Sequence, residues 1–270
     1  MLSFSRTLLA LALFTPFTAL AQQPAAPLPV FDVVAIHENK SLSGNMSIRW
    51  RGDAFVATNT NLTSLLMNAY NIREDLMSNL PAWAGSVHFD VNAKISDPDT
   101  DALKNLSREQ RRAMILALLT DRFHLRTHVV TKTLPVYDLV LAKAGSKLKE
   151  DTVPVAKSTD PGKSPSGIRG SNFGAGGSEM TGVAIPISML TSNLAFQVER
   201  NVIDKTGLTG KYDFTLKWTP DNAPPATTGS GDQPPNIFTA LQEQLGLKLE
   251  SSKGPVDTLV IDHVEMPTEN

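Results

Sequence analysis

The chain has 270 residues, with 25 Lys+Arg against 27 Asp+Glu, a formal net charge of −2 and no cysteine. So even a balance excludes partners held by bulk charge, such as nucleic acid or an anionic membrane surface. The missing thiol excludes a disulfide framework, cysteine catalysis and a lipid attached through a lipobox. At 41% hydrophobic residues, the chain can bury two modest cores.

Residues 1–21 have the form of a secretory signal. Arg6 supplies the positive charge, residues 8–14 with Phe17 form an apolar stretch too short to span a bilayer, and Ala19-Leu20-Ala21 is a small-x-small cleavage pattern. The expected mature protein is exported, periplasmic or extracellular, with no membrane insertion once the signal is removed. Residues 22–30 then read as a Pro/Ala linker.

The first unit is expected over 31–148. It opens with a strand at 31–36 and a hairpin about Arg51-Gly52-Asp53. A helix follows, capped by Asn61, with Leu62, Leu65, Leu66, Ala69 and Tyr70 on one face. Residues 87–95 alternate as a half-buried strand. Ser107 and Gln110 make a capping box for a second helix carrying Ile115, Leu116, Leu119 and Phe123 inward. Residues 125–130 and 136–141 close the unit as an expected hairpin.

Residues 149–178 are rich in Pro, Gly, Ser and Thr and read as a flexible linker. The second unit is expected over 179–270. Its helix begins at Pro186 and carries Ile187, Leu190 and Leu194 inward. Strands at 202–203 and 212–218, a loop at 221–235, a short helix capped by Asn236 and a last hairpin (247–249 with 256–264) complete it.

The two units repeat one pattern. The apolar positions of the helix around Leu62 recur around Ile187, and Phe89-Asp90-Val91 recurs as Tyr212-Asp213-Phe214. Phe123-His124-Leu125-Arg126 recurs as Leu245-Gly246-Leu247-Lys248, and Pro135-Val136 as Pro255-Val256. Four blocks in the same order point to duplication. The expected fold class is α+β: two tandem related units, each a mostly antiparallel sheet with amphipathic helices on one face.

The segments DKTGLTGKYDF at 204–214 and GPVDTLVIDHVEMPTEN at the C terminus, with FDVVAIHENKS and ALLTDRFHLRTH, resemble a family of exported, uncharacterised soil-bacterial proteins abundant in acidobacteria. The match extends over nearly all of the mature chain. The resemblance implies no established activity. Some members carry membrane zinc-peptidase sensor domains, which this chain lacks, and the units look loosely like the small domains preceding secretins and TonB-dependent receptors.

Motifs for chemistry are incomplete. His37-Glu38 opens an HExxH pattern, but Ser41 stands where the second histidine belongs. His124 and His128 fall on an expected strand, where four residues span about 13 Å, too far to share one zinc. Asp97, Asp99 and Asp101 mimic a calcium loop but lack its glycine and glutamate. Gly162-Lys163-Ser164 lacks the first glycine and the strand–helix context of a phosphate loop. No cofactor and no metal are assigned, and no catalytic residue is named.

One polar cluster remains, Asp204, Lys205 and Thr206 with Lys211, set among flexible glycines. It reads as turn chemistry or as a small binding patch in one copy only. The functional expectation is a non-catalytic binding module of the cell envelope whose partner is a protein or peptide. The alternatives are a hydrolase assembled from dispersed residues and an output domain partnering a membrane zinc-peptidase sensor.

Overall fold

The computed structural model describes residues 28–41, 44–95, 106–151, 167–173, 177–221, 223 and 233–268. The expected signal segment, Asp97 to Asp101, Gly162-Lys163-Ser164 and most of the 221–235 loop lie outside the described residues.

The fold is α+β, with four helices and three sheets among the described residues. In chain order come β1 (Val33–Glu38), β2 (Ser47–Arg51), β3 (Ala54–Asn61), α1 (Leu62–Tyr70), a 3-10 turn, β4 (Met77–Ser78), β5 (His88–Lys94), α2 (Arg108–Arg122) and β6 (Arg126–Leu141). Then follow β7 (Lys149–Glu150), β8 (Gly167–Phe173), β9 (Gly177–Pro186), α3 (Ile187–Gln197), β10 (Val202–Asp204), β11 (Lys211–Trp218), α4 (Ile237–Ala240) with a π-type turn, and β12 (Leu247–His263).

The caps that the sequence announces are in place. Asn61 accepts the Ser64 N–H at 2.8 Å, and Asn236 accepts the Thr239 N–H at 3.0 Å. Ser107 and Gln110 exchange both capping-box bonds. Pro186 is the cap residue of α3 and Ile187 opens the helix, one position later than expected.

Two of the sheets match strand for strand. One runs β1-β5-β3-β2 and another β7-β11-β9-β8, both antiparallel. The likeness extends to an irregularity. On β3, two residues between Ala57 and Thr60 oppose the single Asp90 of β5. On β9, two residues between Gly182 and Ile185 oppose Asp213 of β11. Each bulge holds a left-handed residue, Asn59 at φ 50 and Ala184 at φ 49. Its N–H donates to the facing aspartate, Asn59 to Asp90 at 2.8 Å and Ala184 to Asp213 at 2.7 Å. The recurring F/Y-D-V/F triplet is therefore a bulge signature: the flanking apolar residues enter the core and the aspartate satisfies the kinked backbone.

The third sheet, β10-β6-β12-β4, joins the halves. β6 and β12 pair antiparallel from Leu247 opposite Leu141 to His263 opposite Arg126. β4, from the first half, runs parallel to β12 of the second, and β10 runs parallel to β6 of the first. The cores follow the same exchange. Leu259 and Ile261 of β12 are buried with α1, α2 and the first sheet. Leu139 of β6 is buried with α3, α4 and the second sheet. A smaller cluster between them packs Leu76, Val136 and Val256 with Ile203.

Two expected hairpins are single strands. β6 is 16 residues long and β12 is 17. The turn-like composition around Pro135 and Ser251 to Pro255 is overridden by the long ladder between the two strands. Both prolines lie on stretches that no third strand joins, where a missing N–H is tolerated. The expected linker at 149–178 also holds regular structure. β7 and β8 pair with β11 and β9, and Ile168 packs on the second core. Edge strands need backbone bonds more than apolar side chains, so composition did not reveal them.

Candidate functional site

The polar cluster expected at 204–211 is a self-satisfied turn. Asp204 accepts from the Thr206 N–H at 2.9 Å and the Thr206 hydroxyl at 2.7 Å. That hydroxyl in turn accepts from the Leu208 N–H at 3.1 Å. The Lys205 backbone N–H donates to Leu139, tying the turn to β6. The structure gathers Asp204 and Thr206, while Lys205 and Lys211 are exposed.

The histidines are separate. His128 bonds Asp262 at 2.8 Å and His263 bonds Glu265 at 2.8 Å, both exposed. His124 occupies a left-handed position before β6, and His37 is exposed on β1. Among the described residues, no group of three His, Asp or Glu could hold a metal ion. Among them, too, the histidine ring hydrogen bonds run to carboxylates and not to a serine or threonine hydroxyl. Trp218 is core, and Trp50 stacks between Phe31 and Phe55.

A larger feature lies where α1, α2, β2 and the end of α3 meet. It is an open groove of about 520 Å³. Its apolar lining includes Ile48, Trp50, Met67 and Ile115, with Met46 (55% exposed) and Phe196 (37%) at its margins. α1 and α2 line it with residues flanking their buried stripes. α1 turns Leu62, Leu65, Leu66 and Ala69 to the core, which leaves Ser64, Met67, Asn68 and Asn71 on the groove side. α2 contributes Arg108, Arg111, Arg112 and Ile115 at the same i, i+3, i+4, i+7 spacing.

Three arginines in the first turns of one helix are electrostatically costly, because the N-terminal end of the dipole is already positive. Among the described residues none of the three forms an ion pair. The Arg111 guanidinium lies 5.5 Å from the Trp50 ring centroid, and its buried Nε–H has no acceptor. Arg112 donates to Asn71 Oδ1 at 2.8 Å, and Arg108 reaches the Met189 sulfur of α3 at 3.9 Å. Glu109 is the one acid of that turn. Its carboxyl is held below its ordinary value, first by a backbone N–H and the Ser107 hydroxyl, then by the Arg112 and Arg108 charges. The groove thus offers apolar contact, side-chain amides and unspent guanidinium donors, and it draws on both halves of the chain.

Among the described residues, the second half carries no such cluster. Ile115, Leu118, Leu119 and Phe123 answer Ile237, Ala240, Leu241 and Leu245 in the two cores. By the same alignment Gln233 and Pro234 stand where Arg111 and Arg112 do. A signal was present in the sequence: a one-sided arginine stripe in only one of two copies.

A second cavity, of about 320 Å³, lies between the halves, lined in part by Arg73, Pro135 and Arg200. Its arginines are engaged. Arg73 forms a two-pronged pair with Asp75 and donates to Asn201 at 2.9 Å, and Arg200 stacks 4.7 Å from the Tyr137 centroid. This cavity is a clamp between the halves.

No helix among the described residues is long and apolar enough to cross a membrane. No curated protein matches the chain, and no solved structure does. A family model described as a protein of unknown function, DUF3738, matches residues 63–264, from the first turn of α1 to the end of β12. The chain belongs to the DUF3738 family of proteins of unknown function.

Proposed function

We propose that the protein is a non-catalytic binding module of the bacterial cell envelope, exported through its N-terminal signal, and that the groove between α1 and α2 is its binding surface. The single observation that carries this reading is the asymmetry between the halves. The duplication keeps both cores, while among the described residues the arginine stripe over an apolar groove lies in the first half alone. Guanidinium groups without an ion pair among the described residues, beside exposed Met46 and Phe196, suit a partner better than they suit solvent. Chemistry at this surface has no support from a nucleophile–base pair, which favours binding over hydrolysis.

The test is retention of envelope components by the mature protein and by an Arg111→Glu, Phe196→Asp variant that keeps the native unfolding transition. The reading expects a component retained by the wild type and lost by the variant. Equal retention by both would contradict it.

A further inference from the structure

We infer that the groove takes an extended acidic peptide: a chain segment with carboxylate side chains spaced between large apolar ones. This rests on the binding-module reading above and names the chemistry of its ligand. Charge complementarity is the first argument. Arg108, Arg111 and Arg112 project from one stripe and form no ion pair among the described residues, and the single acid of their turn, Glu109, is one charge facing three. Guanidinium forks pair with carboxylates in a planar, two-pronged way that a neutral ligand cannot supply.

The opposite wall argues for a peptide and against a fatty acid. Along α1, Ser64, Asn68 and Asn71 present a hydroxyl and two side-chain amides facing the arginine stripe. An amide side chain offers a donor and an acceptor together, the pair a peptide backbone needs. Asn71 already gives its oxygen to Arg112, which fixes both side chains across the groove. An acyl chain has no use for these groups, and it requires an enclosed channel where this site is an open trough. Between the walls, Met67, Phe196 and the part of Trp50 left open by Phe31 and Arg111 offer apolar contact for alternate side chains.

Recognition then proceeds by parts. Carboxylates of the peptide take the free N–H groups of Arg111 and Arg112, apolar side chains settle against Trp50 and Phe196, and the α1 amides hold the backbone. In the second half the matching helix starts only at Ile237, so Gln233 and Pro234 precede it and the described residues offer no second arginine-lined helix face; one peptide binds per chain.

The experiment is calorimetric titration of the mature protein, with the Arg111 Nε–H resonance followed in parallel. The probes are a blocked heptapeptide with two glutamates and two leucines in a glycine–serine frame, its glutamine counterpart, and sodium laurate. The glutamate peptide is expected to shift the Arg111 signal and to bind on the order of tenfold more tightly than the glutamine peptide, since charged hydrogen bonds exceed neutral ones by about that much. Arg111→Gln should remove that preference. Arg108→Gln, at an exposed position, carries the same comparison should the first variant fold poorly. Equal affinity for both peptides, with the Arg111 signal shifting, would overturn the acidic class and leave the binding surface standing. Binding of laurate in preference to either peptide would overturn the peptide. If no probe perturbed any groove signal, both this inference and the reading it rests on would fall.

Discussion

Leu139 and Leu259 hold the same place in the repeat, and each is buried in the core of the opposite half. Leu139 is 0% exposed among residues of the second half, and Leu259 is 1% exposed among residues of the first. The duplicated units are therefore interlocked. Each long strand leaves its own core to complete its sister's, and β4 and β10 seal the exchange from outside.

Truncating either leucine should be felt across the molecule. Leu259→Ala and Leu139→Ala should each cost about 2–5 kcal/mol, the usual range for a buried leucine. Native-state hydrogen exchange should locate the damage. Leu259→Ala is expected to loosen α1 and α2 before α3, and Leu139→Ala to do the reverse.

The bulge aspartates make a matched pair of probes. Asp213→Ala leaves the Ala184 N–H without its acceptor, and Asp90→Ala does the same to Asn59 while also losing the Asn39 amide at 3.0 Å. Each should destabilise by about 1–3 kcal/mol in urea unfolding, and the asparagine variants by less because an amide oxygen still accepts.

A compensated exchange links Gly182 and Phe214. A Cβ at Gly182 would run into the Phe214 ring. The equivalent pair in the first half is Ala57 opposite Val91. Gly182→Ala alone should therefore destabilise, and Gly182→Ala with Phe214→Val should recover part of the loss. A double-mutant cycle should give a coupling of roughly 0.5–3 kcal/mol, as found for residues in contact.

The Ser107 cap should contribute to acid sensitivity. The native pKa of Glu109 lies below its ordinary value of 4.5 because its charged form accepts a backbone N–H and the Ser107 hydroxyl. Its contribution is complete above the ordinary value and disappears as pH falls through the lowered native one. Glu109→Gln should flatten the dependence of unfolding free energy on pH on the acid side of that ordinary value, with little change near neutrality.

Much of the fold was legible in the sequence because the duplication kept what local physics requires. Asn61, Ser107 and Asn236 announced three helix starts, and the repeated triplet at Asp90 and Asp213 announced the matching sheets. The long strands were hidden because Ser251 to Pro255 has turn composition, and only pairing with β6 holds it extended. The exchange itself is tertiary, since no local pattern says which core Leu139 will enter. The groove was missed for a related reason. The apolar periodicity of α2 identifies its buried face, Ile115 and Leu119, and says nothing of Arg108, Arg111 and Arg112. Their one-sided spacing, set against Gln233 and Pro234 in the second copy, was the available clue.

Interlocking is tested most directly by dividing the chain within the 152–166 segment and expressing residues 28–151 and 167–268 separately and together. The account predicts that neither fragment alone unfolds cooperatively, because each lacks a strand of its own core, and that the mixture regains the full-length transition. A first fragment that unfolds alone with the stability of the intact chain would contradict it.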